Sequence, residues 1–89
     1  MANRRELKKE INYVCGTLFT ECVAISLYNN EANPTDIDKV MSDVLNMQDE
    51  YISRISHTQK DKAKSFYALL RKNFDTSVDD VITAIGKIN

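Results

Sequence analysis

The sequence predicts an all-α fold, an antiparallel up-down-up bundle of three long helices, and three observations predict it. Apolar residues recur at spacings of three and four over nearly the whole length. Only two glycines and one proline are available to interrupt that pattern. The clearest break, at 29–33, ends in Asn33-Pro34, a helix start signal. Eighty-nine residues make one domain, 1–89, large enough for a single core. With 43% apolar and 28% charged residues the chain should fold rather than remain disordered.

The first helix is expected over 4–28. Asn3 with Glu6 three residues on resembles a capping box, and Asn29 and Asn30 are able to take the left-handed conformation that ends helices. Its centre, residues 11–30, carries no charge except Glu21. At about 100° per residue, Leu7, Ile11, Val14, Cys15, Leu18, Phe19, Cys22 and Ile25 form one broad apolar stripe for the chain's own core. The opposite side holds Gly16, Thr20, Val23, Ala24 and Leu27, with Tyr13 at its edge. An ordinary surface helix carries Lys and Glu there. Two covers are open for this side: the chain's other helices, or a second copy of the protein, and the scarcity of helices favours the copy. Gly16 costs helix stability by roughly 1 kcal/mol relative to alanine, which suggests close backbone approach at that point.

The second helix, 34–55, has Asn33 as N-cap, Pro34 in the first helical position and Asp36 in the first turn, where the helix dipole favours an anion. Its apolar series is Ile37, Val40, Met41, Val44, Leu45, Met47, Tyr51, Ile52 and Ile55. Residues 56–59 read as a polar turn, with His57 a solvated loop histidine. The third helix, 60–88, keeps Ala63, Phe66, Tyr67, Leu70, Phe74, Val78, Val81, Ile82, Ile85 and Ile88 in one phase across 75–77. Thr76-Ser77 followed by Asp79 and Asp80 is nevertheless an acceptable N-cap signature, so a kink or a split near 75–77 is the alternative. The expected core is Leu7, Ile11, Val14, Leu18, Ile37, Met41, Val44, Tyr51, Ile52, Phe66, Leu70, Phe74, Val81 and Ile85.

Charge nearly cancels overall, at −1, but not locally. Residues 31–53 hold six acids against Lys39 alone, and 54–74 hold six bases against Asp61 alone. On antiparallel neighbours these opposite signs read as flank complementarity, each exposed pair contributing about 0–1 kcal/mol. Solvated helix faces are the competing account of the same charges.

No catalytic signature is present. There is one His, no Gly-rich loop, and no Ser or Cys beside a base in a known motif. Cys15 and Cys22 lie two helical turns apart, roughly 10 Å along the axis and beyond disulfide reach. They read as reduced, buried, small apolar residues, since Cys-x6-Cys is not a zinc spacing and His57 alone cannot complete a site. No catalytic residue, metal site or cofactor is expected. The charged start and the apolar run broken by Asn12, Tyr13, Thr17, Thr20 and Glu21 fit neither a signal peptide nor a membrane span, so a cytoplasmic protein is expected.

The segment Asn3-Arg4-Arg5-Glu6-Leu7-Lys8-Lys9, followed by Ile11-Asn12-Tyr13 and later by Glu21-Cys22, resembles a family of short uncharacterised proteins of Bacteroides-type gut bacteria. Arg54-Ile55-Ser56-His57 and Leu70-Arg71-Lys72-Asn73-Phe74 are similar to that family too. The resemblance spans most of the chain. It implies a small all-helical protein without an assigned activity, and it carries over no functional residue.

Two functions from different classes fit these observations. The first is a non-catalytic self-associating or protein-interaction module, a homodimer through Gly16, Thr20, Val23 and Leu27, with an unidentified protein as the alternative partner. The second is a nucleic-acid binder using Arg4, Arg5, Lys8 and Lys9. Against it, those bases are interleaved with Glu6 and Glu10, and the pI near 5.7 is far from basic.

Overall fold

The computed structural model describes residues 4–57 and 63–88. These form three helices and no strand: α1 (Arg4–Tyr28), α2 (Pro34–Ser56) and α3 (Ala63–Ile88). α2 packs along α1 and α3 packs along α2, whereas α1 and α3 meet much less closely. The molecule is a rod with extents of 50 × 19 × 18 Å.

The helix ends follow from local chemistry. Asn33 has extended backbone, and its Oδ1 accepts from the Thr35 N–H at 2.8 Å, so an otherwise unpaired donor of the first turn of α2 is satisfied. The end of α1 differs from expectation. No described non-glycine residue has positive φ, so neither Asn29 nor Asn30 is left-handed. The Asn29 N–H instead adds one more helical bond, to the Ile25 oxygen at 2.9 Å, and its side-chain oxygen accepts from the Glu31 N–H at 3.1 Å. An asparagine side-chain turn has taken over the task of a left-handed residue. α2 runs one residue past its expected end. His57 closes it, its backbone N–H and ring Nδ1 both meeting the Ser53 oxygen, at 3.1 and 2.7 Å. His57 is exposed, but as a cap rather than a free loop residue.

The Asn3 cap, and the start of the third helix at 60–62, lie outside the described residues. From Ala63 onward α3 is continuous through 75–77. The Thr76 hydroxyl donates back to the Lys72 carbonyl at 3.2 Å, so it is engaged within the helix and caps nothing. The split is therefore overturned. A separate fourth helix folding over the outside of α1 does not form.

The core is built from Leu7, Ile11, Cys15, Leu18, Cys22 and Ile25 of α1, Ile37, Val40, Val44, Met47, Tyr51 and Ile55 of α2, and Tyr67, Leu70, Phe74, Val81 and Ile85 of α3. Tyr51 joins two helices. Its ring meets Phe74 edge-on at 5.2 Å between centroids, and its hydroxyl shares a 3.1 Å hydrogen bond with Ser77 Oγ. Val14, Met41, Ile52 and Phe66 are only half-buried at the margin of this core. For Val14 the reason is visible: it lines a cleft of about 50 Å³ that the slight contact between α1 and α3 leaves beside Leu7, Leu70 and Phe74. Arg71 of α3 reaches Glu10 of α1, and Arg54 pairs with Glu50 one turn earlier on its own helix at 2.6 Å. All four side chains are about half-exposed, so these pairs orient more than they stabilise.

Candidate interaction surface

Six core residues tie one stripe of α1 to the bundle, and the described chain leaves most of the opposite stripe open. Tyr13 is 77% exposed, Leu27 67% and Tyr28 85%. Gly16 and Thr20 are exposed, and Val23 and Ala24 are half-buried. Asn12, Tyr13, Gly16, Thr17, Thr20, Glu21 and Ala24 line one shallow concavity along the helix. Of the four residues read from the sequence, Gly16 and Thr20 lie in it; Leu27 stands beyond it, and Val23 is partly covered at the flank.

Three features set the chemistry of this face. A methyl group added at Gly16 would meet nothing within 4 Å, so the close approach that a mid-helix glycine suggests is not made inside the chain. The two threonine hydroxyls are already bonded, Thr17 to the Tyr13 carbonyl and Thr20 to the Gly16 carbonyl, each at 2.9 Å. Covering the face therefore strands neither hydroxyl, and the usual penalty for burying an unpaired polar group is avoided. Finally, Asn12 accepts from Gln48 Nε2 of α2 at 2.7 Å, which pins the flank of the concavity to the neighbouring helix. Leu45, three residues before Gln48, is 47% exposed and extends the apolar surface on that side. Leu45 and Tyr28 escaped the sequence reading because period alone assigned one to a core stripe and the other to a helix end.

The basic residues Arg4, Arg5, Lys8 and Lys9 occupy the first two turns of α1 and, with Asn12, line a second shallow concavity. It adjoins the first through Asn12.

The cysteines are not at this surface. Cys15 and Cys22 are 1% and 0% exposed. Burial pushes the Cys15 thiol up to about 11, and burial followed by the Glu21 charge raises that of Cys22. Neither is a nucleophile at neutral pH, since the thiolate is the reactive form. His57, the third member of the metal arrangement considered from the sequence, sits at the end of α2, and the described residues contain no group of three His, Cys, Asp or Glu placed to hold a metal.

By length and composition α1 is, among the described residues, a helix long and apolar enough to cross a membrane, its polar interruptions notwithstanding. The core helix of a bundle passes the same test, and here six residues of α1 are buried against α2 and α3. Fold and surface define a small three-helix bundle with one helix face open, its only charge Glu21 at the rim. No family model matches the chain, and no curated protein or solved structure matches it.

Proposed function

We propose that the protein is a non-catalytic, self-associating helical module of the cytoplasm whose outer α1 face is its interface. One observation carries the reading: the face is uncharged from Asn12 to Thr20, its hydroxyls are internally bonded, and its glycine has no intrachain reason to be a glycine. Val23 and Leu27 add apolar area at about 25 cal/mol per Å² buried, and a two-fold homodimer is the commonest way for a small protein to cover such a face. The resemblance to small helical proteins of Bacteroides-type gut bacteria agrees with a module of this kind and adds no chemistry to it.

Sedimentation equilibrium tests the proposal. The wild type is expected to be a dimer at tens of micromolar, and Thr20→Arg, which puts a long cation in the middle of the face, a folded monomer. A monomeric wild type removes the homodimer, and a dimer unaffected by Thr20→Arg places the interface elsewhere.

The gathering of Arg4, Arg5, Lys8 and Lys9 into one concavity supports a second reading, nucleic-acid binding through phosphate contacts. Mobility shift at low salt decides it: absence of retardation of duplex or single strand at micromolar protein removes that reading.

A further inference from the structure

The charges at the two ends of the outer α1 face dictate which way a second copy lies on it. Arg5 and Lys9 are exposed at the beginning of the face, and at about 100° per residue they fall in line with Gly16, Thr20 and Leu27. The other end is electrically opposite. The last turn of α1 contains no basic residue, its terminal carbonyls carry the negative end of the helix dipole, and exposed Glu31 follows immediately. Between these ends the face is made of small, weakly polar residues with Glu21 at its rim, and Gly16 is open to close approach.

We propose that two copies pair antiparallel through α1, with Gly16 of each opposite Thr20 of the other. This rests on the self-association reading above and specifies its geometry. The two-fold axis then crosses the pair at the level of residue 18, between the two helices, which sets Tyr13 opposite Val23 of the second copy and Lys9 opposite Leu27, and brings Arg5 towards the turn after α1 that carries Glu31. Each basic start meets the acidic, dipole-negative end of its partner, twice over because the contact is isologous. A parallel pair would instead place Arg5 against Arg5 and Lys9 against Lys9, like-charge juxtapositions across the interface.

Disulfide trapping with the full chain reads the geometry directly, because the native thiols are buried and unreactive at neutral pH. In the antiparallel pair two copies of Tyr13→Cys hold their new thiols about 15 Å apart along the axis, as do two copies of Val23→Cys, beyond the roughly 4–7 Å that a disulfide spans between α-carbons. Neither variant alone should form a covalent dimer under mild oxidation, and an equal mixture of the two should. Arg5→Glu and Glu31→Arg should each weaken dimerisation by at least about threefold, and the double variant should recover it. Trapping of either variant with itself means parallel pairing and overturns this inference while leaving the dimer intact. A dimer that traps in no combination overturns both the orientation and the α1 interface, and a wild type that sediments as a monomer removes the self-association reading itself.

Discussion

At the scale of single residues, the cysteines are better understood as core atoms than as chemistry. Cys15 is 1% exposed and its thiol is pushed up to about 11 by burial alone. A thiol that holds its proton more tightly when folded destabilises the fold once the unfolded chain begins to lose that proton. Its contribution is intact below about pH 9 and is lost as pH rises towards 11. Screened by the solvent the site still sees, that loss is on the order of 1 kcal/mol for Cys15. Denaturant unfolding between pH 8 and 11 should show this fall, superimposed on any from tyrosine and lysine, and Cys15→Ala should show a shallower one. Equal slopes in both proteins would mean the thiol is solvated.

At the scale of the helix, α1 is asked to be two things. One stripe supplies six core residues, while the other carries a glycine at its centre that the isolated chain does not need. Alanine is better than glycine in a helix interior by up to about 1 kcal/mol, and at Gly16 the added methyl group meets open space. Gly16→Ala should therefore raise the unfolding free energy of the monomer by roughly 0.5–1 kcal/mol, measured in the Thr20→Arg background, and weaken association in the otherwise native chain. Opposite signs in the two measurements are the mark of a glycine kept for a partner. If alanine leaves association unchanged, the backbones do not approach closely at that point.

At the scale of the whole molecule, three rods lying side by side give an elongated body. The Cα radius of gyration is 14.6 Å, against roughly 12 Å for a compact domain of this length. Side-by-side pairing of such rods doubles the mass without lengthening the particle. Small-angle scattering of the wild-type dimer is accordingly expected to give a maximum dimension near the 50 Å of the single chain with two broadened axes. An end-to-end pair would approach twice that length and would exclude the α1 face as interface. The weak contact between α1 and α3 belongs to this scale as well: it leaves Val14 half-covered and lets Arg71 reach across to Glu10.

The number, order and extent of the helices were legible in the sequence because local rules govern them. Apolar spacing of three and four marks each helix, and Asn33-Pro34 marks the start of α2 through a bond between neighbouring residues. The stripe of α1 was legible for the same reason, including the burial of both cysteines, as was the uncharged face opposite. What periodicity could not reveal was how far each flank is covered, since that depends on how three axes lean together. Tertiary packing alone decided that Val40, Met47, Ile55 and Tyr67 are core while Val14, Met41, Ile52 and Phe66 are marginal. It also decided that Thr76 continues a helix instead of starting one, because a hydroxyl able to cap can equally donate to the carbonyl four residues back, and the phase of Phe74, Val81 and Ile85 against one shared core favours the uninterrupted rod. The outer face of α1 is uncharged by sequence but uncovered only by tertiary structure, because the helix that would have covered it is committed, in one piece, to α2.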